Sequence, residues 1–171
     1  MQKSVKIAIY SIWRKHENTD MLLYRASEFA AVCVTTHPLP PIGMHDDVDS
    51  TGRSLFWRGA LGFDTLAAQM VLDFQKQYPQ IRLILVLPCT DQTSKWSPEN
   101  QKRVQSILRR ADKIVVLAKQ YEPGCMQRRN RYLVDHSGVC VCYLTKNAGG
   151  TFYTVQYAKK NGLTVLHCAL P

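Results

Sequence analysis

The sequence predicts an α/β protein: an open, mainly parallel sheet of about five to six strands with helices on both faces. Three observations carry this. From residue 54 onward, short apolar runs alternate with amphipathic ones, the pattern of parallel strands joined by right-handed crossover helices. The central runs are continuously apolar, as strands covered on both faces must be. Two glycine-bearing segments, Gly59-Ala60-Leu61-Gly62-Phe63-Asp64 and Gly149-Gly150-Thr151, each stand between a strand-like run and a helix-like run.

The elements follow in order. Ser54 to Trp57 reads as a short strand, and Asp64 to Gln77 as a helix with Leu66, Met70, Val71 and Phe74 on one face. Ile81 to Leu87 is an apolar strand ended by Pro88. Ser97-Pro98-Glu99 opens a helix running to about Ala111: a hydroxyl cap, proline at the first helical position, and an acid near the positive dipole end. Lys113 to Ala118 is the next buried strand. After Gly124 come a helix from about Met126 to Asp135, a strand from Val139 to Leu144, and a helix from Thr151 to Lys160. Asn161-Gly162 stops that helix, and Leu163 to Cys168 is the last strand.

The first fifty residues fit less well. Ala31 to Thr36 reads as an opening strand, followed by the loop His37-Pro38-Leu39-Pro40-Pro41. Only about a dozen residues then remain before Ser54, too few for a full crossover helix. Either the first helix is stunted or the sheet begins elsewhere, at Val5 to Tyr10.

Size and composition bound the function. At 171 residues the chain suits one well-buried core. The expected organisation is a single domain, with 1–53 its divergent N-terminal part and 54–171 its core. A hydrophobic share of 46% and a charged share of 20% are those of a soluble globular protein. The best early apolar run, Val5 to Trp13, is interrupted by Lys6 and lacks a small-residue cleavage site. The expectation is a cytoplasmic protein with no membrane partner.

The six cysteines, Cys33, Cys89, Cys125, Cys140, Cys142 and Cys168, form no CxxC pair, and three lie in apolar strand-like runs. They read as reduced, buried thiols rather than metal ligands or disulfides. The net charge is +9. Much of the excess lies between Gln101 and Arg131, where Lys102, Arg103, Arg109, Arg110, Lys113, Lys119, Arg128, Arg129 and Arg131 are countered only by Asp112 and Glu122. Such a stripe is compatible with a polyanion partner and equally with solvated helix surface.

The glycine segments carry the most specific signal. Glycine backbone brought to a helix N-terminus offers unpaired N–H groups and the positive dipole end to an anion, commonly phosphate. In open α/β sheets, ligands bind beyond the carboxyl ends of the strands, where both segments fall. Each also has a plainer reading. Gly59 and Gly62 permit a tight turn with Asp64 as a cap, and Asn147-Ala148-Gly149-Gly150-Thr151 makes an ordinary turn with Thr151 as the N-cap.

Three stretches resemble a known family: Gly59 through Ala68, Ile84-Leu85-Val86-Leu87-Pro88-Cys89, and Arg128 through Ser137. They are similar to the YpsA-like family of unknown function, within the SLOG superfamily of Rossmann-like nucleotide-binding domains. The likeness covers residues 54 to 169. It implies a Rossmann-like sheet and a nucleotide-type ligand. More distantly, Met126-Gln127-Arg128-Arg129 through Gly149-Gly150-Thr151 is similar to the LOG-type phosphoribohydrolases, which pair a helix arginine with a P-G-G-x-G-T-x-x-E loop. Arg129 falls on that arginine, and a guanidinium there holds phosphate bidentately.

Departures matter too. The loop glutamate that serves N-glycosidic hydrolysis has no counterpart: Phe152, Tyr153 and Thr154 follow Thr151, and the next polar candidate is Gln156. An amide is no general base at neutral pH. YpsA-like proteins also open with a T-G-H-R-P-like loop. The nearest segment, Thr35-Thr36-His37-Pro38, lacks its glycine and arginine, and Thr51-Gly52-Arg53 comes at the wrong place.

Other candidates are weaker. His136 at a helix end reads as a carbonyl cap. Trp96 reads as a cover for the hydrophobic edge, or else as a stacking platform for a base. No HExxH, Walker lysine loop or nucleophile elbow occurs.

The expected function is therefore binding of a nucleotide or nucleotide derivative, as a sensor or interaction module, with no required cofactor. Gly59, Gly62, Gly149, Gly150 and Thr151 would present donors, Arg129 would supply charge, and Asp64 would order the first loop or accept from a ribose hydroxyl. The alternatives are a nucleoside monophosphate phosphoribohydrolase and, by analogy with the DprA branch of the superfamily, a nucleic-acid-binding protein. The oligomeric state is open, a homodimer included.

Overall fold

A computed structural model describes residues 54–79, 81–144 and 146–167, together with the backbone of 30–34. Val5 to Tyr10, Thr35-Thr36-His37-Pro38, Thr51-Gly52-Arg53, Cys168 and the side chain of Leu66 lie outside the described residues. Strands are β1 (Ala30–Val34), β2 (Ser54–Trp57), β3 (Arg82–Leu87), β4 (Lys113–Val116), β5 (Val139–Tyr143) and β6 (Thr164–His167). Helices are α1 (Phe63–Phe74), α2 (Pro98–Leu108), α3 (Cys125–Asp135) and α4 (Gly149–Lys160).

The structure is α/β, with parallel strands connected by helices. β2, β3 and β4 are mutually parallel neighbours, as are β5 and β6. β1 joins the two sets and runs antiparallel to both β2 and β5, giving the order β4-β3-β2-β1-β5-β6. The direction of β1 departs from the simple parallel expectation. Antiparallel pairing with β2 needs no crossover helix between the two strands.

Two apolar layers flank the sheet, and period-two alternation divides the strands between them. Leu55, Trp57, Leu83, Leu85, Val139 and Val141 pack with Ala68, Val71 and Leu72 of α1 and Val104 and Ile107 of α2. Phe56, Ile84, Val86, Cys140 and Cys142 pack with Leu133 and Val134 of α3 and Val155 and Ala158 of α4. Helices therefore cover both faces. The inward face of α1 is rotated from expectation: Ala68, Val71 and Leu72 are buried, whereas Met70 and Phe74 are only half-buried.

α2 begins as its sequence dictates, with the Ser97 hydroxyl accepting from the Asn100 backbone N–H at 3.4 Å and Pro98 at the first helical position. It ends at Leu108, a few residues before the expected stop, where the Arg110 and Ala111 N–H groups close it with tighter turn bonds to the Ile107 and Leu108 carbonyls. β4 corrects the expectation of a buried strand. It is the sheet's edge, and Ile114 and Val116 are 44% and 43% exposed. Only Val115, on the opposite face, packs inward.

Candidate functional site

Because β2 and β5 both oppose β1, they point the same way, and their carboxyl ends share one edge of the sheet. One strand separates them, which places the two ends about 10 Å apart at ordinary strand spacing. The chain leaves β2 through Arg58 to Gly62 into α1, and leaves β5 through 144–148 into α4.

The first glycine turn is packed solid. Gly59 has φ +68, and a Cβ there would lie 3.0 Å from Leu87 Cδ2, so both conformation and crowding require glycine. Its carbonyl accepts from Gln92 Nε2 at 2.9 Å, and the Ala60 carbonyl accepts from Thr65 Oγ1 at 2.9 Å. Gly62 is the N-cap of α1 and offers no side-chain cap.

Asp64 in the first turn of α1 is 0% exposed. Arg58 Nε donates to its Oδ2 at 2.8 Å and Nη2 to its Oδ1 at 3.3 Å. This two-pronged pair ties the end of β2 to the start of α1, so Asp64 orders the loop.

Arg129 is where the structure departs most from a surface reading of the basic stripe. It is 5% exposed. Nη1 donates to the Arg58 carbonyl at 2.5 Å, Nε to Asn130 Oδ1 at 2.9 Å, and Nη2 to Met126 Sδ at 3.7 Å. Asn130 Nδ2 in turn donates to the Gly150 carbonyl at 3.5 Å, which also accepts from Thr154 Oγ1 at 2.8 Å. The two glycine segments are thus linked through one polar network, buried at Arg58, Arg129 and Asn130 and ending on the exposed Gly150.

The second glycine segment is built differently. Gly149 and Gly150 form the first turn of α4 rather than a loop ahead of it, and the N-cap is Ala148. The expected Thr151 cap is corrected accordingly: Thr151 lies within the helix and is buried. Gly149 has φ +85, both glycines are exposed, and α4 has no side-chain cap. A Cβ at Gly149 would meet nothing within 4 Å, and one at Gly150 only Asn130 Nδ2 at 3.9 Å.

The electrostatics of this edge are unbalanced. Among the described residues the buried charged groups are Arg58, Asp64 and Arg129, two cations and one anion. No carboxylate of a described residue lies within ion-pair distance of Arg129. Burial, then the positive charge of Arg58, push its guanidinium down to about 9, against the opposing pull of Asp64. A net positive charge held away from water is costly until an anion reaches it.

Arg58, Asn130 and Gln92 were not among the sequence-derived site residues. Arg58 had a readable signal: a charged residue directly after an apolar strand and six positions before an acid. Gln92 and Asn130 carry no local signal, since only tertiary contact brings them to the glycine backbones.

The remaining candidates fall elsewhere. His136 Nδ1 lies 2.7 Å from the Tyr132 carbonyl and its ring stacks on Tyr132 at 4.0 Å, a helix-end role as expected. Trp96 packs on the hydrophobic core, also as expected. Gln156 is exposed on α4. Within the basic stripe, Arg103 pairs with Glu99 and Arg128 with Glu122. Cys89, Cys125, Cys140 and Cys142 are buried. Among the described residues no group of three or more His, Cys, Asp or Glu is placed to hold a metal ion, and no helix is long and apolar enough to cross a membrane.

Fold and site together define an α/β protein whose polar centre lies beyond the carboxyl ends of its parallel strands. The family model of YpsA, described as the YspA SLOG family, matches residues 44–165, and the chain belongs to that family. It is 31% identical over 117 residues to the uncharacterized SPbeta prophage-derived protein YoqJ of Bacillus subtilis, covering 61% of this chain and 68% of that protein. It is 33% identical over 105 residues to a UPF0398 protein of Halalkalibacterium halodurans, covering 60% and 56%. A UPF0398 protein of Bacillus cereus is 30% identical over 107 residues, covering 61% and 58%. The chain thus spans little more than half the length of the two UPF0398 relatives.

Proposed function

We propose that this protein binds a phosphate-bearing nucleotide or nucleotide derivative at the start of α4, as a sensor or interaction module. On this reading the sheet is Rossmann-like: the chain winds outward from β2 through β4, then returns to β5 and β6, and the ligand sits where those two directions part. The exposed amides of Gly149 and Gly150 meet the phosphate. Arg129 supplies charge from beneath, through the polar network that ends on Gly150. Gly59, Gly62 and Asp64 hold the opposite wall and position Arg58, while Thr151 closes the floor.

The observation that carries this reading is the surplus buried positive charge, two guanidiniums against one carboxylate, beside an open and uncapped helix start. Binding needs no catalytic step, and no described residue stands in for the glutamate of the LOG-type loop.

The test is a thermal-shift titration with inorganic phosphate, nucleoside mono- and diphosphates and ADP-ribose. A ligand selective for the folded state at a hundred times its Kd stabilises by about 2.7 kcal/mol. The expected result is a shift that saturates with at least one nucleotide and vanishes in Gly150→Asp, whose carboxylate occupies open space and repels phosphate. A flat response across the series, or a shift untouched by Gly150→Asp, overturns the reading.

A further inference from the structure

The buried cysteines are of two kinds. Cys140 and Cys142 belong to the apolar layer packed under α3 and α4, whereas Cys89 and Cys125 belong to neither layer. Cys89 lies two residues beyond β3 and Cys125 is the first residue of α3, and they are 0% and 1% exposed. Beyond the strands, the Leu117 N–H donates to the Leu87 carbonyl at 3.0 Å and Thr90 Oγ1 donates to the Lys119 carbonyl at 2.5 Å. The segments that follow β3 and β4 are thus fastened together before α3 starts. There the Cys89 thiol faces Cys125 within side-chain hydrogen-bonding reach and also meets Asp91.

Two facing thiols can do what one cannot. A disulfide needs Cβ atoms about 3.5–4.5 Å apart, and sulfurs in hydrogen-bonding contact are close to that geometry. Positive charge lies beside the pair. Arg129 follows Cys125 by four positions on the buried stripe of α3, and its guanidinium feels the charge of both sulfurs. The first turn of α3 carries no acid and no side-chain cap, so negative charge that develops on the Cys125 sulfur is also met by the positive end of the helix dipole. Residues 119–124, which lead into α3, are all exposed. Such a segment opens locally at low cost and admits a small solute.

We propose that Cys89 and Cys125 form a reversible dithiol–disulfide couple that responds to hydrogen peroxide. In the first step the Cys125 sulfur attacks the peroxide: an S–O bond forms, the O–O bond breaks, and the thiol proton leaves with the displaced oxygen as water. In the second step the Cys89 sulfur attacks the resulting sulfenic sulfur: the S–S bond forms, the S–O bond breaks, and the hydroxide leaves as water with the Cys89 proton. Two thiols give up two electrons in all, and one peroxide becomes two waters. Cys125 makes the first attack because it stands at the helix end beside Arg129. Burial, then Asp91 and Cys125, push the Cys89 thiol up to about 11, so Cys89 keeps its proton until the second step. The new bond ties the start of α3, the helix that carries Arg129, to the end of β3, and it is independent of the phosphate reading.

The experiment treats the folded full chain with hydrogen peroxide, blocks the remaining thiols with N-ethylmaleimide in denaturant, and maps tryptic peptides by mass spectrometry. Cleavage after Arg82, Lys95, Lys119 and Arg128 leaves each cysteine alone in its peptide, Leu83–Lys95 and Gln120–Arg128. The expected product is the cross-link between these two peptides, as the dominant disulfide and lost on treatment with dithiothreitol. With dimedone present, Cys89→Ser gives a sulfenic adduct on Cys125, whereas Cys125→Ser gives none on Cys89. The wild-type map stands whether or not either variant folds. If the cross-link does not form, forms only after unfolding in urea, is outnumbered by links to other cysteines, or resists dithiothreitol, the proposal falls. An adduct on Cys89 in Cys125→Ser, or none on Cys125 in Cys89→Ser, overturns the order of attack.

Discussion

Arg129 Nη1 reaches the backbone carbonyl of Arg58 at 2.5 Å, joining positions 71 residues apart. The contact is between a side chain whose charge has no carboxylate partner among the described residues and a main-chain oxygen whose own side chain is committed to Asp64. Arg58 therefore contributes twice, its carbonyl to one cation and its guanidinium to the only buried acid of the described residues. Removing any of the three groups changes the charge balance of the interior, and the three removals differ.

Asp64→Asn leaves two buried guanidiniums and no carboxylate. The expected loss is about 3–5 kcal/mol, as for one partner taken from a buried ion pair. Arg58→Met leaves Asp64 opposite Arg129 at zero net charge, so its loss is smaller. Urea unfolding of the two variants checks the order, and equal losses would sink the charge-balance argument.

Gly59→Ala places a methyl group in a left-handed backbone position and within 3.0 Å of Leu87 Cδ2. The conformation alone costs about 1–2 kcal/mol, and the contact adds to it. Gly162 has a similar φ, +75, with nothing within 4 Å of a Cβ. Gly162→Ala therefore isolates the conformational cost, and denaturation midpoints should rank Gly59→Ala as the more damaging of the two.

Gly150→Ala and Gly150→Asp should both stabilise the unliganded protein. Alanine recovers only part of the about 1 kcal/mol by which glycine disfavours a helix interior, and aspartate adds about 0.3–1 kcal/mol against the helix dipole. Melting temperatures in phosphate-free buffer check this. A fall in both variants would mean that the first turn of α4 is not helical.

Burial, then the facing Asp91 and Cys125, push the Cys89 thiol from 9.0 up to about 11. The folded protein keeps this proton while the unfolded chain releases it from about pH 9. Unfolding therefore gains from rising pH, and stability falls between about pH 9 and 11. Arg129 acts in the opposite sense over the same range, since its lowered value makes the unfolded chain the better proton binder. Comparing wild type with Cys89→Ala at pH 8 and about pH 10.5 separates the two. The wild type should lose more stability on going to high pH, and an equal loss would remove Cys89 from the account.

Much of the fold was legible because local signals and tertiary structure agree. Ser97-Pro98-Glu99 opens α2 by chemistry that acts within four residues, and the apolar run ending at Leu87 has nowhere to go but between two layers. The direction of β1 was not legible, because strand polarity depends on partners far along the chain. The exposure of Ile114 and Val116 escaped notice for the same reason, since an apolar run does not say whether it lies at the centre or the edge of a sheet.

The site divides in a similar way. Arg129 was singled out as a phosphate ligand held on a helix, yet its burial was readable: Cys125, Arg129 and Leu133 recur every four residues, the spacing of an inward helical stripe, and all three are buried. The glycine pair was read as a loop because glycine disfavours helix interiors, an argument that loses force in a first turn. Asp64 is expected to order its loop or to accept from a ribose hydroxyl, and its partner, Arg58, could be found only in three dimensions.

The position of β1 has a consequence for biogenesis. It is made first among the described strands but pairs with β2 on one side and, roughly a hundred residues further along the chain, with β5 on the other. A nascent chain that has emerged only as far as β4 still lacks β5, the described strand that pairs with this edge of β1. Such long-range closure makes for slow maturation, and it leaves the half-made protein dependent on whatever shields it at the ribosome exit.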